Sequence, residues 1–338
     1  MKNKLDSLFF TRLFVQQAAQ SSSYRRAESE IQLAIPSTLK NACRMEISME
    51  SKYIAAPANT IEILKKYSFV FQKRFGQNFL IDNFVLEKII KAGQITKNDT
   101  VLEIGPGIGS LTQYLCENAR KVVAVEIDKA LIPILHDTLK DYDNLTIINE
   151  DILKVNLEEL IKEHSLNGHI KVVANLPYYI TTPIIMNLLE SGLAIDNITV
   201  MVQKEVALRM QAAHNTKDYG ALSLAVQYYA DVEYIANVPP NCFMPRPNVG
   251  SAVVTLTTKP SKSYEVKDEE LLFKVTRAAF NQRRKTLVNA LNNAANLSFT
   301  KEDIENVLKK QGLPATIRGE ALSLEQFCIL SNHLHDLM

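Results

Sequence analysis

The sequence predicts an α/β fold: an open, Rossmann-like sheet of mostly parallel strands, followed by a small all-α domain. Short β-branched runs alternate with amphipathic segments of helical length from residue 82 to about residue 208, a pattern typical of a parallel sheet covered by helices. Beyond residue 269, apolar residues recur with helical period in four successive segments. These two observations define the fold class and the order of its parts.

The predicted elements follow each other in a regular order. A helix over Asp82–Ala92 leads into the sheet, and another helix is predicted over Lys204–Ala213. The predicted strands are Thr100–Ile104, Lys121–Glu126, Leu145–Asn149, Ile170–Ala174, Val232–Val238 and Ser251–Thr257. Helices are then predicted at 270–280, 284–295, 301–311 and 323–335, and Gly312-Leu313-Pro314 separates the last two.

The first strand runs into a glycine-rich turn, with glycines at positions 105, 107 and 109. The third glycine comes one residue too soon for the G-x-G-x-x-G pattern of dinucleotide-binding proteins. Glu103, at the end of the strand, would be unfavourable beside a pyrophosphate but favourable beside the ammonium group of an amino-acid cofactor. The turn therefore favours S-adenosylmethionine over NAD.

Acidic residues end the next two strands. Glu126 closes the second strand, where an acid accepts hydrogen bonds from both ribose hydroxyls in nucleotide-binding α/β folds. Glu150 and Asp151 follow the third strand, and an acid there could accept a hydrogen bond from the adenine amino group of a cofactor. Singly, each acid could equally be a solvated helix-capping carboxylate. Three strand ends with polar groups in register favour a shared cofactor site.

The turn Asn175-Leu176-Pro177-Tyr178 closes the fourth strand. The Asn175 amide oxygen and a carbonyl near Leu176 or Pro177 could accept both hydrogens of an exocyclic amine, and Pro177 fixes the turn. Tyr178 offers a flat face for a base taken out of its stack. The alternative is an ordinary Asn/Pro turn whose aromatic residue packs into the core.

Taken together, several motifs resemble the ribosomal RNA adenine N6,N6-dimethyltransferase family. They are Lys73–Leu80, the glycine loop 103–109, Val125-Glu126, Glu150-Asp151, Asn175–Tyr178 and Phe243–Ala252. The segment Asn281–Leu291 is similar to the bacterial small-subunit (16S) branch of this family, which is associated with kasugamycin sensitivity. The resemblance extends from about Phe69 to the C-terminus.

The resemblance implies a class I S-adenosylmethionine-dependent methyltransferase sheet with an antiparallel hairpin, Val232–Val238 with Ser251–Thr257, at one edge. It also implies a reaction: dimethylation of N6 of two adjacent adenosines in a hairpin loop near the 3′ end of 16S rRNA, within an immature small ribosomal subunit. The residues that it assigns to the cofactor are Asn78, Leu80, Gly105, Glu126, Asp151 and Asn175. The residues that it assigns to the target adenine and to catalysis are Asn175, Pro177, Tyr178 and Phe243.

Two features depart from the family pattern. Gly250 stands where many relatives carry an aspartate, and we interpret it as a tolerated turn variant. Residues 1–48 precede the usual start of the family, which lies near Met49, and are expected to be a disordered extension or an artefact of the start site. The remaining organisation is a methyltransferase domain at 49–258 and a helical RNA-recognition domain at 259–338, with a linker at Lys259–Ser261.

Composition limits the other function classes. The 338 residues are 46% hydrophobic, enough for a full α/β core and a smaller second domain, and no apolar stretch reaches membrane-spanning length. The four cysteines lack paired metal-ligand spacing, so we expect reduced thiols, no metal site and a cytoplasmic location. Nothing in the sequence demands a dimer, and a monomer is expected.

The formal net charge is only +1, so RNA binding would depend on clustered basic residues. The candidates are Lys65-Lys66, Lys73-Arg74, Arg277 and Arg283-Arg284-Lys285. The last group could instead be a solvated helix face. We favour contact with phosphates because Phe280-Asn281-Gln282 precedes this group and the resemblance is strongest there.

Three other functions share features with this sequence. A 23S rRNA adenine N6-methyltransferase of the macrolide-resistance type shares the core motifs, but the segment Asn281–Leu291 favours the small-subunit branch. A mainly non-catalytic factor for small-subunit assembly is compatible with the same motifs. An NAD-dependent dehydrogenase is disfavoured by the glycine spacing and by the Asn175–Tyr178 turn.

Overall fold

A seven-stranded sheet forms the centre of the fold. The computed structural model describes residues 52–164, 170–259 and 264–338 of the chain. The strands are β1 (Phe79–Leu80), β2 (Thr100–Ile104), β3 (Lys121–Glu126), β4 (Leu145–Asn149), β5 (Ile170–Asn175), β6 (Ile195–Gln203), β7 (Ala230–Val238), β8 (Phe243–Met244) and β9 (Ser251–Thr258).

Twelve α-helices are described, and they connect the strands or follow them. They are α1 (Pro57–Lys66), α2 (Asn83–Ala92), α3 (Ser110–Asn118), α4 (Ile132–Thr138), α5 (Leu157–Glu163), α6 (Thr181–Glu190), α7 (Lys204–Gln211), α8 (Ala221–Tyr229), α9 (Glu269–Asn281), α10 (Leu287–Asn292), α11 (Lys301–Lys310) and α12 (Leu324–His335). Short 3₁₀ helices cover Lys73–Phe75, Pro240–Cys242 and Gly319–Ala321.

The strand order is β4-β3-β2-β5-β6-β9-β7, and β2 to β6 are parallel. Residues of β2 are buried throughout, and β3 and β5 are almost entirely buried. Strands covered on both faces form from continuous β-branched runs, because no face needs polar residues. The predicted α/β class with a mostly parallel sheet is confirmed.

The opposite edge of the sheet is antiparallel. β9 pairs antiparallel with both β6 and β7, so the predicted hairpin of β7 and β9 is also confirmed. β6 is a strand beyond the six predicted from the sequence, and its apolar pattern is interrupted near the start by Asp196 and Asn197. A separate two-stranded sheet joins β1 to β8, with Leu80 opposite Phe243.

The C-terminal helices lie close to their predicted positions. α9, α11 and α12 begin after side-chain caps from Asp268, Thr300 and Ser323, each of which accepts a backbone N–H of the first turn. Their apolar faces pack with α8 in one core cluster, which includes Tyr228 and Phe327. The element boundaries follow the capping residues, and these are local signals in the sequence.

Tyr53–Met338 form one compact unit. The division into domains at 49–258 and 259–338 stays a prediction. Residues 1–48, with the expected disorder or start-site artefact, and the linker residues Pro260 and Ser261 lie outside the described residues.

Candidate active site

The polar residues at the carboxyl ends of the parallel strands lie at one level. Ile104 is in register with Val125 on one side and with Ala174 on the other. The next residues, Gly105, Glu126 and Asn175, therefore meet at the same edge of the sheet, where open α/β sheets bind ligands. The Rossmann-like topology converts three motifs that are distant in sequence into neighbours.

A cleft of about 800 Å³, including space open to solvent, lies above this edge. Most of the predicted site residues line it, together with apolar side chains such as Phe79, Ile127 and Ile152. The predicted residues in the lining are Asn78, Gly105, Glu126, Asp151, Asn175, Pro177 and Tyr178. Sequence motifs from five segments of the chain are thus brought together.

A second, smaller hollow adjoins the cleft at the glycine turn. It shares Phe79, Gly105, Gly107 and Asn175 with the cleft and is also lined by Leu80, the eighth predicted residue. A Cβ atom at Gly105 would meet no atom within 4 Å, and the φ of Gly105 is +71°. A side chain there would therefore have a strained backbone and would enter open space at a residue that lines both hollows.

Glu126 is 4% exposed, and each of its carboxylate oxygens accepts a backbone N–H. Gly107 donates to Oε2 at 3.1 Å, and Asp128 donates to Oε1 at 2.8 Å. Burial raises the pKa of Glu126 to about 7; the two backbone donors oppose this rise and the charge of Asp128 adds to it. The carboxyl group therefore titrates near neutral pH.

The side-chain amide of Asn175 has a fixed orientation. Its Nδ2 donates to the carbonyl oxygen of Asn78 at 2.9 Å. No hydrogen bond to its Oδ1 is found among the described residues, and the residue lines both hollows. Asn175 thus has an unused acceptor at the cleft.

The turn that follows offers one further acceptor. The carbonyl of Pro177 already accepts from the N–H of Ile180 at 3.2 Å and the hydroxyl of Thr181 at 3.1 Å. No hydrogen bond to the Leu176 carbonyl is found within the described part of the chain. Of the two carbonyls left open by the sequence, the structure favours Leu176.

Tyr178 is half-buried and held at its hydroxyl, which lies 2.7 Å from the Oγ of buried Ser251 in β9. Its ring therefore has a defined position in the cleft wall. Ser251 belongs to the segment Phe243–Ala252, so this contact joins two of the motifs found in the sequence.

The segment Gln72–Asn78, called the strap here, closes one side of the cleft. Gln77 Nε2 donates to Asp128 Oδ2 at 2.6 Å, and the backbone N–H of Gln72 donates to Gln77 Oε1 at 2.9 Å. A Cβ atom at Gly76, whose φ is +57°, would lie 3.4 Å from the ring of Tyr179. The strap thus contacts the ends of β3 and β5.

Phe243 and Glu103 lie elsewhere. Phe243 is 4% exposed, packs in a core cluster with Leu80, and is not among the residues that line the cleft. Its expected contact with the target base stays a prediction. Glu103 is 1% exposed and lies outside both linings, so its placement does not support the expected contact with a cofactor ammonium group.

The reason for the position of Glu103 is the alternation of side chains along β2. Burial raises the pKa of Glu103 to about 8, with Thr112 of α3 opposing the rise and the charge of Glu126 adding to it. Its Oε2 has no hydrogen-bond partner within the described residues. The adjacent residues, Ile104 and Gly105, line the cleft instead.

Some lining residues were not identified from the sequence. Tyr179 lines the cleft and is 60% exposed, and Gln77 and Phe75 of the strap also line it. Tyr179 directly follows the turn Asn175–Tyr178, so its place in the sequence could have indicated that it lines the cleft. The contact between Gln77 and Asp128 joins residues 51 apart in sequence and has no local signal.

Some of the candidate basic residues form ion pairs within the protein, and others are exposed to solvent. Lys66 pairs with Asp137 at 2.5 Å, and Arg283 Nε donates to Glu320 at 2.8 Å. Arg284 and Lys285 are exposed.

Gly250, which departs from the family pattern, tolerates a side chain. Its carbonyl oxygen accepts the N–H of Lys204 at the start of α7, and a Cβ atom at Gly250 would make only an ordinary contact, at 3.9 Å.

Among the residues that the structure describes, no group of three or more His, Cys, Asp or Glu side chains is placed to hold a metal ion. Cys116, Cys242 and Cys328 are buried free thiols. None of the described helices combines the length and the apolarity needed to cross a membrane.

Comparison with known proteins agrees with the geometry. Two curated bacterial relatives carry the name ribosomal RNA small subunit methyltransferase A. The protein from Lachnoclostridium phytofermentans is 66% identical over 287 residues, which are 85% of this chain and 99% of the relative. The protein from Clostridioides difficile is 51% identical over 273 residues, covering 81% of this chain and 94% of the relative.

A solved structure, a dimethyladenosine transferase from Plasmodium falciparum, has a TM-score of 0.62 and 28% identity and covers 75% of this chain and 95% of its own. The names of the bacterial relatives do not favour the 23S alternative. The family model described as ribosomal RNA adenine dimethylase matches residues 68–334. This chain therefore belongs to the ribosomal RNA adenine dimethylase family.

Proposed function

We propose that this protein is an S-adenosylmethionine-dependent methyltransferase that dimethylates N6 of two adjacent adenosines in a hairpin loop near the 3′ end of 16S rRNA. The observation that carries the proposal is the meeting of Gly105, Glu126 and Asn175 at one edge of the sheet, where Asn175 Oδ1 has no partner among the described residues. Family membership and the names of the relatives support the same reaction.

The residues of the cleft fit the proposed cofactor. S-adenosylmethionine supplies an electrophilic methyl group on its sulfonium. Two adjoining hollows, both lined by Gly105 and Gly107, suit a ligand with a nucleoside part and an amino-acid part. Glu126 is at the position to accept ribose hydroxyls, and Asp151 to accept from an adenine amino group. Asn78, Leu80, Gly105 and Asn175 complete the proposed cofactor site.

The chain's own groups would hold the acceptor amine. The N6 amine of adenine is a poor nucleophile, because its lone pair is delocalised into the ring. Asn175 Oδ1 and the Leu176 carbonyl can accept its two hydrogens, which favours a tetrahedral nitrogen with its lone pair directed at the methyl donor. Pro177 fixes the turn, and the ring of Tyr178 provides a face on which the base can stack.

Before a second transfer, the methylated nitrogen must lose a proton to solvent, S-adenosylhomocysteine must be replaced by a second S-adenosylmethionine, and the amine must rotate. After one methylation a single N–H remains, and Asn175 or the Leu176 carbonyl can still accept it. Loop nucleotides enter such a pocket at lower cost than paired ones, because they need not be unpaired from a helix. Phe243 remains a candidate for the other face of the base.

The finer features of the partner and the location are part of the proposal. We infer that the enzyme acts as a monomer, in the cytoplasm, on an immature small ribosomal subunit, without a metal. A role in small-subunit assembly can coexist with catalysis.

The test is methyl incorporation from labelled S-adenosylmethionine into small subunits from a strain lacking this modification, with large-subunit RNA alongside. Nucleoside mass analysis identifies the product. We expect N6,N6-dimethyladenosine in 16S rRNA only. Label in 23S rRNA would contradict the proposal and favour the macrolide-resistance type, and no label in either RNA would favour a non-catalytic assembly factor.

A further inference from the structure

The strap is bound to a buried carboxylate that follows the end of β3. Asp128 is 3% exposed, and its side chain accepts from Gln77 Nε2 at 2.6 Å, from Gln72 Nε2 at 3.4 Å and from the N–H of Ala130 at 3.0 Å. Several donors to one buried carboxylate compensate for its lost hydration. Asp128 therefore holds the strap through side-chain amides.

Gln77 uses both ends of its amide. Nε2 donates to Asp128, and Oε1 accepts the backbone N–H of Gln72 at 2.9 Å. Rotating this amide by half a turn would place a donor against a donor and an acceptor against an acceptor. The hydrogen-bond pattern thus fixes the conformation of the strap as well as its attachment.

The backbone of the strap also orients Asn175. The Asn78 carbonyl accepts from Asn175 Nδ2 at 2.9 Å, and Gly76 lies against Tyr179 and Pro177. Without this carbonyl, the Asn175 amide could turn and present its NH₂ group to the cleft. An NH₂ group cannot accept a hydrogen from an amine.

Asp128 also acts on Glu126. Its backbone N–H donates to Glu126 Oε1 at 2.8 Å. Three hydrogen bonds and the peptide bond between Gln77 and Asn78 thus link Glu126, through Asp128 and the strap, to Asn175.

We propose that Gln77 and Asp128 are positioning residues that set Glu126 and Asn175 relative to each other, so that one strap controls both cofactor binding and the orientation of the acceptor amine. The proposal rests on the proposed function, because it assigns those two tasks to Glu126 and Asn175. Neither Gln77 nor Asp128 needs to touch the reacting atoms.

An exchange of the two side chains tests this. In the Gln77→Glu variant, the new carboxylate faces the carboxylate of Asp128. In the Asp128→Asn variant, the new amide faces the amide of Gln77. The double variant restores the pattern. The amide nitrogen introduced by Asp128→Asn donates to the carboxylate introduced by Gln77→Glu, and that carboxylate still accepts from Gln72. The amide oxygen introduced by Asp128→Asn still accepts from Ala130, and the net charge of the pair is unchanged.

For each single variant we expect KM for S-adenosylmethionine to rise and kcat to fall, each roughly tenfold, because a buried polar group loses its partner. The double variant should return to within about threefold of the wild type, since non-additivity of this kind reports a direct pairwise contact. The Kd for S-adenosylhomocysteine, measured by titration calorimetry, should likewise be raised in the single variants and close to that of the wild type in the double variant.

Gln94→Glu is the matched control, because it makes the same change at an exposed residue between α2 and β2, at the opposite edge of the sheet. It should leave kcat, KM and the thermal midpoint unchanged. Thermal unfolding of all variants shows whether a loss of activity comes from an unstable fold or, in a stable protein, from displaced Glu126 and Asn175 side chains.

The proposal fails if both single variants keep wild-type kcat and KM, or if a folded double variant is as impaired as the singles. An effect on KM alone would overturn the part that concerns Asn175. If the wild type transfers no methyl group to rRNA, the proposed function fails, whereas calorimetry still decides whether the exchange restores cofactor binding.

Discussion

Asn175 carries the largest share of the proposed chemistry among single residues, because it contacts the strap with Nδ2 and leaves Oδ1 for the amine. We predict that Asn175→Ala lowers kcat on the order of 100-fold, because a poorly held acceptor loses its alignment. Binding of S-adenosylhomocysteine should weaken much less. Single-turnover methylation and calorimetry measure the two effects.

Asn118→Ala provides the control for this substitution. The Asn118 amide also donates to a backbone carbonyl, that of Tyr114 at 2.8 Å, but it lies at the C-terminal end of α3. Its methylation rate should match the wild type. Unchanged methylation in Asn175→Ala would remove Asn175 from the catalytic role.

The raised pKa of Glu126 predicts that cofactor binding depends on pH. Its pKa of about 7 in the free protein means that it is increasingly protonated below pH 7. A carboxylate that accepts hydroxyl donors is favoured in its ionised form, so binding must release that proton. We predict that the Kd for S-adenosylhomocysteine rises by up to about tenfold per pH unit below pH 7.

Calorimetry at pH 6, 7 and 8 measures this effect. Glu126→Gln should bind more weakly at pH 8 and show a flatter profile, because the titrating group is gone. A wild-type profile that is flat from pH 6 to 8 would argue against a titrating Glu126 in the cofactor site.

At the scale of elements, the basic run after α9 separates into two parts. Arg283 donates to Glu320 at 2.8 Å and to the Thr216 carbonyl at 3.0 Å, which ties the 3₁₀ helix at 319–321 to the loop before α8. Arg284 and Lys285 are exposed and remain candidates for phosphate contacts. Adjacent residues of one motif thus have different tasks.

We predict that Arg284→Ala and Lys285→Ala each weaken binding to small-subunit RNA and reduce the salt slope by about one, because each removes one phosphate contact. Arg283→Ala should instead lower the free energy of unfolding, since it breaks two internal contacts. Filter binding at several salt concentrations and urea unfolding separate these outcomes. An equal salt slope in all three variants and the wild type would contradict the assignment.

At the scale of the whole molecule, the first residues of the compact unit Tyr53–Met338 contribute to its core. Ile54 and Ala55 are buried, the N–H of Ile54 donates to Gln113 at 2.9 Å, and Tyr53 stacks on Tyr114 at 4.8 Å. We predict that a chain starting at Met49 keeps wild-type stability and methylation. A chain starting at Pro57 should lose roughly 2–5 kcal/mol, typical of losing buried side chains.

Thermal and urea unfolding of the two truncated proteins, with methylation assays, measure the difference. A protein starting at Met49 that fails to fold or to methylate would show that residues 1–48 are required. Equal stability of both truncations would mean that Tyr53–Ala56 add little to the core.

Much of the fold followed from the sequence, because its signals are local. Continuous β-branched runs predicted β2 to β5, and the caps at Asp268, Thr300 and Ser323 mark where helices begin. The strand β6 was missed because polar residues near its start break the pattern. For the site, the rule that ligands bind at the carboxyl ends of parallel strands was enough to group Gly105, Glu126 and Asn175.

The sequence by itself thus determined the class of fold, the family resemblance and the motifs that meet at the cleft, since these depend on short local patterns along the chain. Only the tertiary structure decided which atoms are free to contact a ligand. Phe243 and Glu103 are buried, Arg283 bonds to Glu320 within the protein, and Asn175 Oδ1 has no partner among the described residues. It also joined Gln77 to Asp128. Such contacts bring together groups that are distant in sequence, and their hydrogen bonds are set by packing, which no local pattern encodes.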